Sequence, residues 1–188
     1  NVCTHRGSLL CKSKKNIKSI QCKYHGRTFG LNGIVKSAPG FEGIKNFPTE
    51  NDNLKQCKII KWKQFILTSI DPKINLDAIF TDINNRLSWY PFEKLNFDKG
   101  NSIEHILDVH WALYCENYLE GLHVPFVHKG LNQNINFSSY KTILLDNGTL
   151  QYTEAINKEE ALDIPLGTID CEKNIYAYYY WLFPNIML

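Results

Sequence analysis

The sequence carries no excess of charge. Its 21 Lys and Arg stand against 19 Asp and Glu, a formal net charge of +2 over 188 residues. Basic residues so nearly matched by acids give no support for a nucleic-acid partner. It has no hydrophobic run near the roughly 20 residues that a membrane helix needs. The densest apolar stretch, residues 176–188, is short and is interrupted by Pro184 and Asn185. There is no amino-terminal signal pattern, internal repeat or low-complexity tract. With 44% hydrophobic and 13% aromatic residues, the chain collapses rather than stays disordered. The expectation is a soluble, cytoplasmic protein with no membrane and no nucleic-acid partner. The ends read as those of a piece. The chain opens on Asn1 with a cysteine already at position 3, and closes on the apolar segment 181–188. A fragment lacking both ends of a longer protein is therefore expected.

What the sequence does have is six Cys and six His. No secretory context favours disulfides, so reduced thiols are the expectation. Cys3-Thr-His5-Arg-Gly7 is followed, after sixteen residues beyond His5, by Cys22-Lys-Tyr-His25-Gly26. Zinc fingers place two cysteines on one arm and two histidines on the other. Here each arm supplies one of each, which suits a two-iron cluster with two thiolates on one iron and two imidazoles on the other. Gly7 and Gly26 permit tight loops whose N–H groups can face sulfide. Cys11, Cys57, Cys115 and Cys171 lie outside this pattern and read as buried or incidental thiols. His105 and His110 read as ordinary histidines.

This stretch resembles the Rieske [2Fe–2S] domain. The resemblance implies that Cys3 and Cys22 bind one iron and His5 and His25 the other. Arg6, together with Lys23 and Tyr24, makes it similar to the oxygenase kind rather than the respiratory kind. Lys23 departs from the usual Pro.

Downstream, residues 27–33 read as a strand entering an Asn-Gly turn, and residues 58–68 as two β-rich runs suited to closing a small sandwich. Asp71-Pro72 marks a boundary between domains 1–70 and 71–188. Apolar residues at 76, 79, 80, 83 and 87 predict a helix over 76–90, stopped by Pro91. Residues 102–109 read as extended and 111–122 as helical. Segments 138–145, 149–156 and 174–183 read as strands.

A second constellation follows: Asn117, Glu120, His123 and His128. Two imidazoles with a nearby carboxylate suit a non-haem Fe(II) centre, which leaves one face of the metal open. On an unbroken helix, residues five apart point about 140° from each other. Pro125 is expected to end the helix and let His128 fold back. The spacing resembles the Asn-x2-Asp/Glu-x2-His-x4-His pattern of Rieske non-haem iron oxygenases, and Ala38–Gly43 and Trp181–Asn185 are also similar to that family.

The resemblance implies an α+β chain: a β-rich cluster domain followed by an incomplete helix-grip catalytic domain. It implies an oxygenase large subunit most similar to the choline-monooxygenase group and related ring hydroxylases. It also implies a [2Fe–2S] cluster, a mononuclear Fe(II) on His123 and His128, and catalytic roles for Glu120 and Asn117. A small-molecule substrate, O2, a reductase or ferredoxin donor, and a homotrimer or other homo-oligomer come with it, in which Glu120 links the iron site to a neighbour's His25. The third iron ligand, a carboxylate, is expected beyond Leu188; Glu154, Asp163 and Asp170 do not correspond to it. Glu120 in place of Asp leans toward monooxygenation of an alkylammonium compound. His110 stands where Asn is more usual. The tyrosines at 176, 178, 179 and 180 read as strand packing rather than a cation cage by about four to one. The competing readings are a Rieske electron-transfer protein, which needs no second His pair, and a zinc-stapled interaction domain, which the mixed arms disfavour.

Overall fold

In a computed structural model describing residues 1–188, the chain is α+β and divides into two compact units. Asn1–Ile59 with Thr68–Asp71 form the first, and Ile60–Leu67 with Pro72–Leu188 the second.

The first unit is held by very little regular structure. Strands β1 (Ile20–Gln21), β2 (Thr28–Phe29) and β3 (Val35–Ser37) make an antiparallel sheet in that order. The turn between β2 and β3 runs through Asn32 and Gly33, whose φ of 82° is a left-handed value that glycine adopts without strain. The buried core is Cys3, Cys22, Phe29 and Val35. Strands β4 (Lys58–Trp62) and β5 (Phe65–Ser69) pair with each other in a separate two-stranded sheet. The expectation that they close a sandwich is corrected: their tip, Ile60–Leu67, belongs to the second unit.

The second unit is built on an antiparallel sheet in the order β6 (Ile135–Leu145), β7 (Gly148–Ala155), β8 (Ile175–Leu182), β9 (Ile186–Met187). Helix α1 spans Asp77–Arg86 and buries Ile79, Phe80 and Ile83, the face marked by the sequence periodicity. These pack with Trp62, Leu150, Tyr152, Tyr180 and Leu182. Successive strand residues face opposite sides, so β7 divides its side chains between two tasks. Leu150 and Tyr152 enter this core, whereas Gln151 and Thr153, equally buried, face the other way.

Three local expectations are corrected. Residues 102–109 form no strand. Helix α2 covers only Trp111–Tyr118 and ends in a turn through Gly121. Pro125 does not end a helix. It sits in the first turn of the short helix α3 (Val124–Val127), where its missing N–H has no partner to lose. Helix α4 (Lys129–Asn134) and strand β9 carried no sequence signal strong enough to predict them.

Candidate metal centres

The Cys3-x-His5 and Cys22-x2-His25 segments fold into loops closed by the same hydrogen bonds. The Cys3 N–H donates to the Ser8 carbonyl at 2.8 Å and the Gly7 N–H donates back to the Cys3 carbonyl at 3.0 Å. In the second loop, the Cys22 N–H donates to the Arg27 carbonyl at 2.8 Å and the Gly26 N–H to the Cys22 carbonyl at 3.0 Å. Gly7 and Gly26 take φ values of 69° and 75°, so each closes its loop in a conformation other residues resist.

These loops sort the four side chains by depth. Cys3 and Cys22 are 3% and 2% exposed, while His5 is half-buried and His25 exposed. The His5 and His25 rings lie 4.9 Å apart, centroid to centroid. The Tyr24 N–H points at the Cys22 sulfur from 3.5 Å. This contact, outweighing burial and aided by the Cys3 side chain, the His25 N–H and the Ser8 hydroxyl, holds the Cys22 thiol below its ordinary value. Partial burial, then the nearby His25, Arg27 and Arg6, lower His5. Two inner sulfurs and two outer imidazoles are a donor set that suits a [2Fe–2S] centre with mixed ligation. In the same unit, buried Arg27 pairs with Asp52 at 3.1 Å, meets the Thr4 hydroxyl at 3.2 Å, and lies over the Phe41 and Phe47 rings.

The second pair is assembled by a different device. His123 caps the start of α3 and His128 leaves its end with φ −101° and ψ 60°. The Val127 N–H donates to the His123 carbonyl at 2.8 Å, which closes a single turn between the two histidines. Their ring centroids lie 5.0 Å apart. The Glu120 carboxylate accepts the backbone N–H groups of Leu122 and His123 with one oxygen and contacts His123 Nδ1 with the other. The contact with His123, opposed by burial and aided by the Leu122 N–H, keeps Glu120 below the usual carboxylate range.

A cavity of about 170 Å³ opens at this pair. Asn117, Glu120, Val124, Leu131, Thr153 and three tyrosines, Tyr118, Tyr140 and Tyr179, are among its walls. Buried Gln151 ties the walls together: its amide donates to the Tyr118 carbonyl at 2.7 Å and its oxygen accepts the Tyr140 hydroxyl at 2.9 Å. Gly121 lies so close to the Tyr140 ring that an added Cβ would sit about 2.7 Å from its carbons. Tyr118, Tyr140 and Gln151 were not anticipated from sequence. From sequence Tyr179 reads as packing. Its neighbours Tyr178 and Tyr180 do pack structurally, donating to Asp170 at 3.0 Å and Asp82 at 2.6 Å. Asp170 is fully engaged by Arg86, Lys173 and Tyr178. Nowhere do three His, Cys, Asp or Glu side chains gather as around one ion; the candidate donors come in pairs.

Residues 1–48 match the Rieske [2Fe-2S] domain, and this amino-terminal part belongs to that domain family. Over its whole length the chain is similar to choline monooxygenases and to oxygenase subunits of carnitine monooxygenases. It is 28% identical over 201 residues to choline monooxygenase of Arabidopsis thaliana, with all of this chain and 46% of the relative aligned. It is 28% identical over 196 residues to the carnitine monooxygenase oxygenase subunit of Acinetobacter pittii, covering all of this chain and 50% of that one. Among solved structures, a quaternary ammonium Rieske monooxygenase superposes with a TM-score of 0.71 at 23% identity, over all of this chain and 50% of its own; this is a likeness of fold. The chain thus spans about half the length of the relatives it matches. Rieske oxygenases use a mononuclear iron at the catalytic site in addition to the cluster.

Proposed function

We propose that the chain is the metal-bearing part of an oxygenase large subunit that takes electrons from a reductase or ferredoxin and hydroxylates a small molecule with O2. The observation that carries this reading is the His123–His128 pair, 5.0 Å apart at a tyrosine-walled cavity, in a chain that begins with a Rieske domain. An electron carrier alone has no use for that pair. Cys3 and Cys22 would hold one iron of the cluster and His5 and His25 the other. His123 and His128 would hold the mononuclear iron, with a carboxylate from beyond Leu188. When bound, the cluster supplies single electrons and the mononuclear iron supplies O2 activation.

The chain's own residues define what surrounds that chemistry. Glu120 keeps a proton on His123 Nδ1, which fixes the tautomer and leaves Nε2 as the donor. Asn117, one turn before Glu120, lines the same cavity. Val124, Leu131 and Ile135 make the apolar part of the wall and exclude water. Burial pushes the Tyr140 hydroxyl up to about 12, so near neutral pH it offers an uncharged ring. Three aromatic walls and few free donors suit a quaternary ammonium, which cannot donate hydrogen bonds and is held by cation–π contact. We therefore favour a quaternary-amine substrate over an aromatic ring. Half-exposed Glu120 and exposed His25 are both available for the subunit bridge expected in a homotrimer. A cytoplasmic location belongs to the same reading.

The test uses the full-length protein reconstituted anaerobically with iron and sulfide. Its reduced form is expected to give a rhombic EPR signal with an average g below that of all-Cys clusters, because neutral imidazoles replace thiolates. O2 uptake should couple to oxidation of choline or carnitine and not of naphthalene. Zinc without iron and sulfide would overturn the cluster, and a reducible cluster with no O2 uptake on any of the three would overturn the oxygenase.

A further inference from the structure

The even balance of charge over the chain hides a separation. Residues 1–41 contain eight Lys and Arg and no Asp or Glu, the first acid being Glu42. Arg27 is buried against Asp52, but Arg6, Lys12, Lys14, Lys15, Lys18 and Lys23 are all exposed. No carboxylate pairs with any of these six. Like charges this dense repel one another, and the repulsion is relieved when an acidic surface meets them.

The arrangement is fixed where it starts and ends. Asn1 clasps Cys11, donating to its carbonyl at 2.6 Å and accepting its N–H at 2.7 Å, and its own carbonyl accepts the Leu10 N–H at 3.2 Å. From there an irregular strap crosses to β1 at Ile20. Strap and ligand loops together border a groove of about 580 Å³, whose walls include Ser8, Lys12, Lys15, Lys23 and Tyr24. Ser8 closes the first Cys-x-His loop, and Lys23 and Tyr24 belong to the second. The Tyr24 ring lies against His25, tilted by 32° with centroids 3.9 Å apart. A partner seated in the groove therefore comes against Tyr24, which touches an outer histidine.

We infer that the strap from Leu10 to Lys23 is the docking face for the electron donor, and that the donor is a small protein with acidic residues around its own redox centre. The inference rests on the oxygenase reading for its acceptor, the cluster. Electron transfer between proteins weakens steeply with distance, so a donor must come close to the ligand loops, and Ser8, Lys23 and Tyr24 of those loops wall the groove while His25 itself stays free for the subunit bridge. One electron leaves the reduced donor and enters the cluster; no bond forms or breaks.

The probe is a reduced plant-type [2Fe–2S] ferredoxin, an acidic one-electron carrier of lower potential than a Rieske centre. It is mixed in stopped flow with the cluster-loaded, full-length protein. The double variant Lys14→Glu/Lys15→Glu should reduce at least tenfold more slowly at low salt. The wild-type rate should fall with added salt, and the two should converge near 1 M, where screening extends only about 3 Å. Calorimetric binding of oxidised ferredoxin should weaken in parallel, while the EPR signal and electrochemical midpoint stay as in the wild type. Equal rates at low salt, with no salt dependence, would overturn the docking face even if O2 uptake proves the oxygenase. So would an altered oligomeric state, or loss of binding to DNA or to phosphatidylserine vesicles, with the ferredoxin rate unchanged. A wild-type protein that holds no reducible cluster sinks the oxygenase reading first and this inference with it.

Discussion

Replacing Gln151 with Leu should loosen the mononuclear site without touching the cluster. Gln151 is fully buried, and Leu has nearly its volume, so packing is almost preserved. Two hydrogen bonds vanish. The Tyr118 carbonyl lies in the last turn of α2, where the helix itself supplies no donor, and Gln151 is its partner at 2.7 Å. The Tyr140 hydroxyl loses its acceptor at 2.9 Å. Each buried polar group left unpaired costs about 1–3 kcal/mol, so Gln151→Leu should destabilise the protein by about 2–6 kcal/mol. Tyr140→Phe strands only the Gln151 oxygen and should cost about 1–3 kcal/mol. In a double-mutant cycle the two should be strongly non-additive, because both remove the same bond. The functional consequence follows from the chain: Tyr118 is two residues before Glu120 and five before His123, so a freed α2 terminus lets both drift. Denaturant unfolding gives the energies, and iron titration with the cluster EPR signal as internal reference gives the site effect. A Gln151→Leu protein within about 0.5 kcal/mol of wild type, or one that loses its cluster before its mononuclear iron, would refute this account of what holds the cavity.

Glu120→Gln in the full-length enzyme should leave both iron centres occupied and the cluster reducible, while single-turnover re-oxidation of the cluster by O2 and substrate slows by orders of magnitude; normal re-oxidation would make Glu120 a surface acid. Asp170, although its burial opposes ionisation, is held below the usual carboxylate range by hydrogen bonds from Lys173 and Tyr178 and by Arg86. A depressed folded-state value means stability that is complete above the unfolded value of about 3.9 and is lost as pH falls toward the lower folded value. Unfolding measured from pH 6 to 2 should show that decline in wild type and a flatter profile in Asp170→Asn, which should already be destabilised at pH 6 because Arg86 keeps only Asp82; parallel profiles would contradict it.

Periodicity and spacing made much of this legible in sequence. Helix α1 follows from its apolar stripe, and the two loops that carry the Cys and His pairs follow from Gly7 and Gly26, which close them. What stayed hidden was set by contacts distant in sequence. Nothing near Gln151 reveals that it reaches Tyr118 and Tyr140, because strand register decides that. Tyr179 sits beside Gln151 in the ladder and therefore shares its face, whereas Tyr178 and Tyr180 turn to the core face. A run of aromatics cannot announce which parity is buried against which partner. In sequence Pro125 reads as a stop although it opens a helix, because proline is compatible with both roles and only the preceding turn through Gly121 distinguishes them. Net charge failed in another way: a sum conceals where its terms lie.

The smallness of the first unit's core carries a consequence for how the protein matures in a cell. Three strands of two or three residues and an apolar core of four buried side chains are far less than an independent fold needs, and Cys3 and Cys22 are half of that core. With the cysteines as ligands, inserting the cluster and forming the hydrophobic centre are one event, and a chain that has missed its iron and sulfide exposes Phe29 and Val35. Such a chain is the kind of species proteases recognise. Iron starvation or oxidative loss of the cluster should then lower the abundance of the protein as well as its activity, making the supply of sulfide and iron a checkpoint on how much of it accumulates.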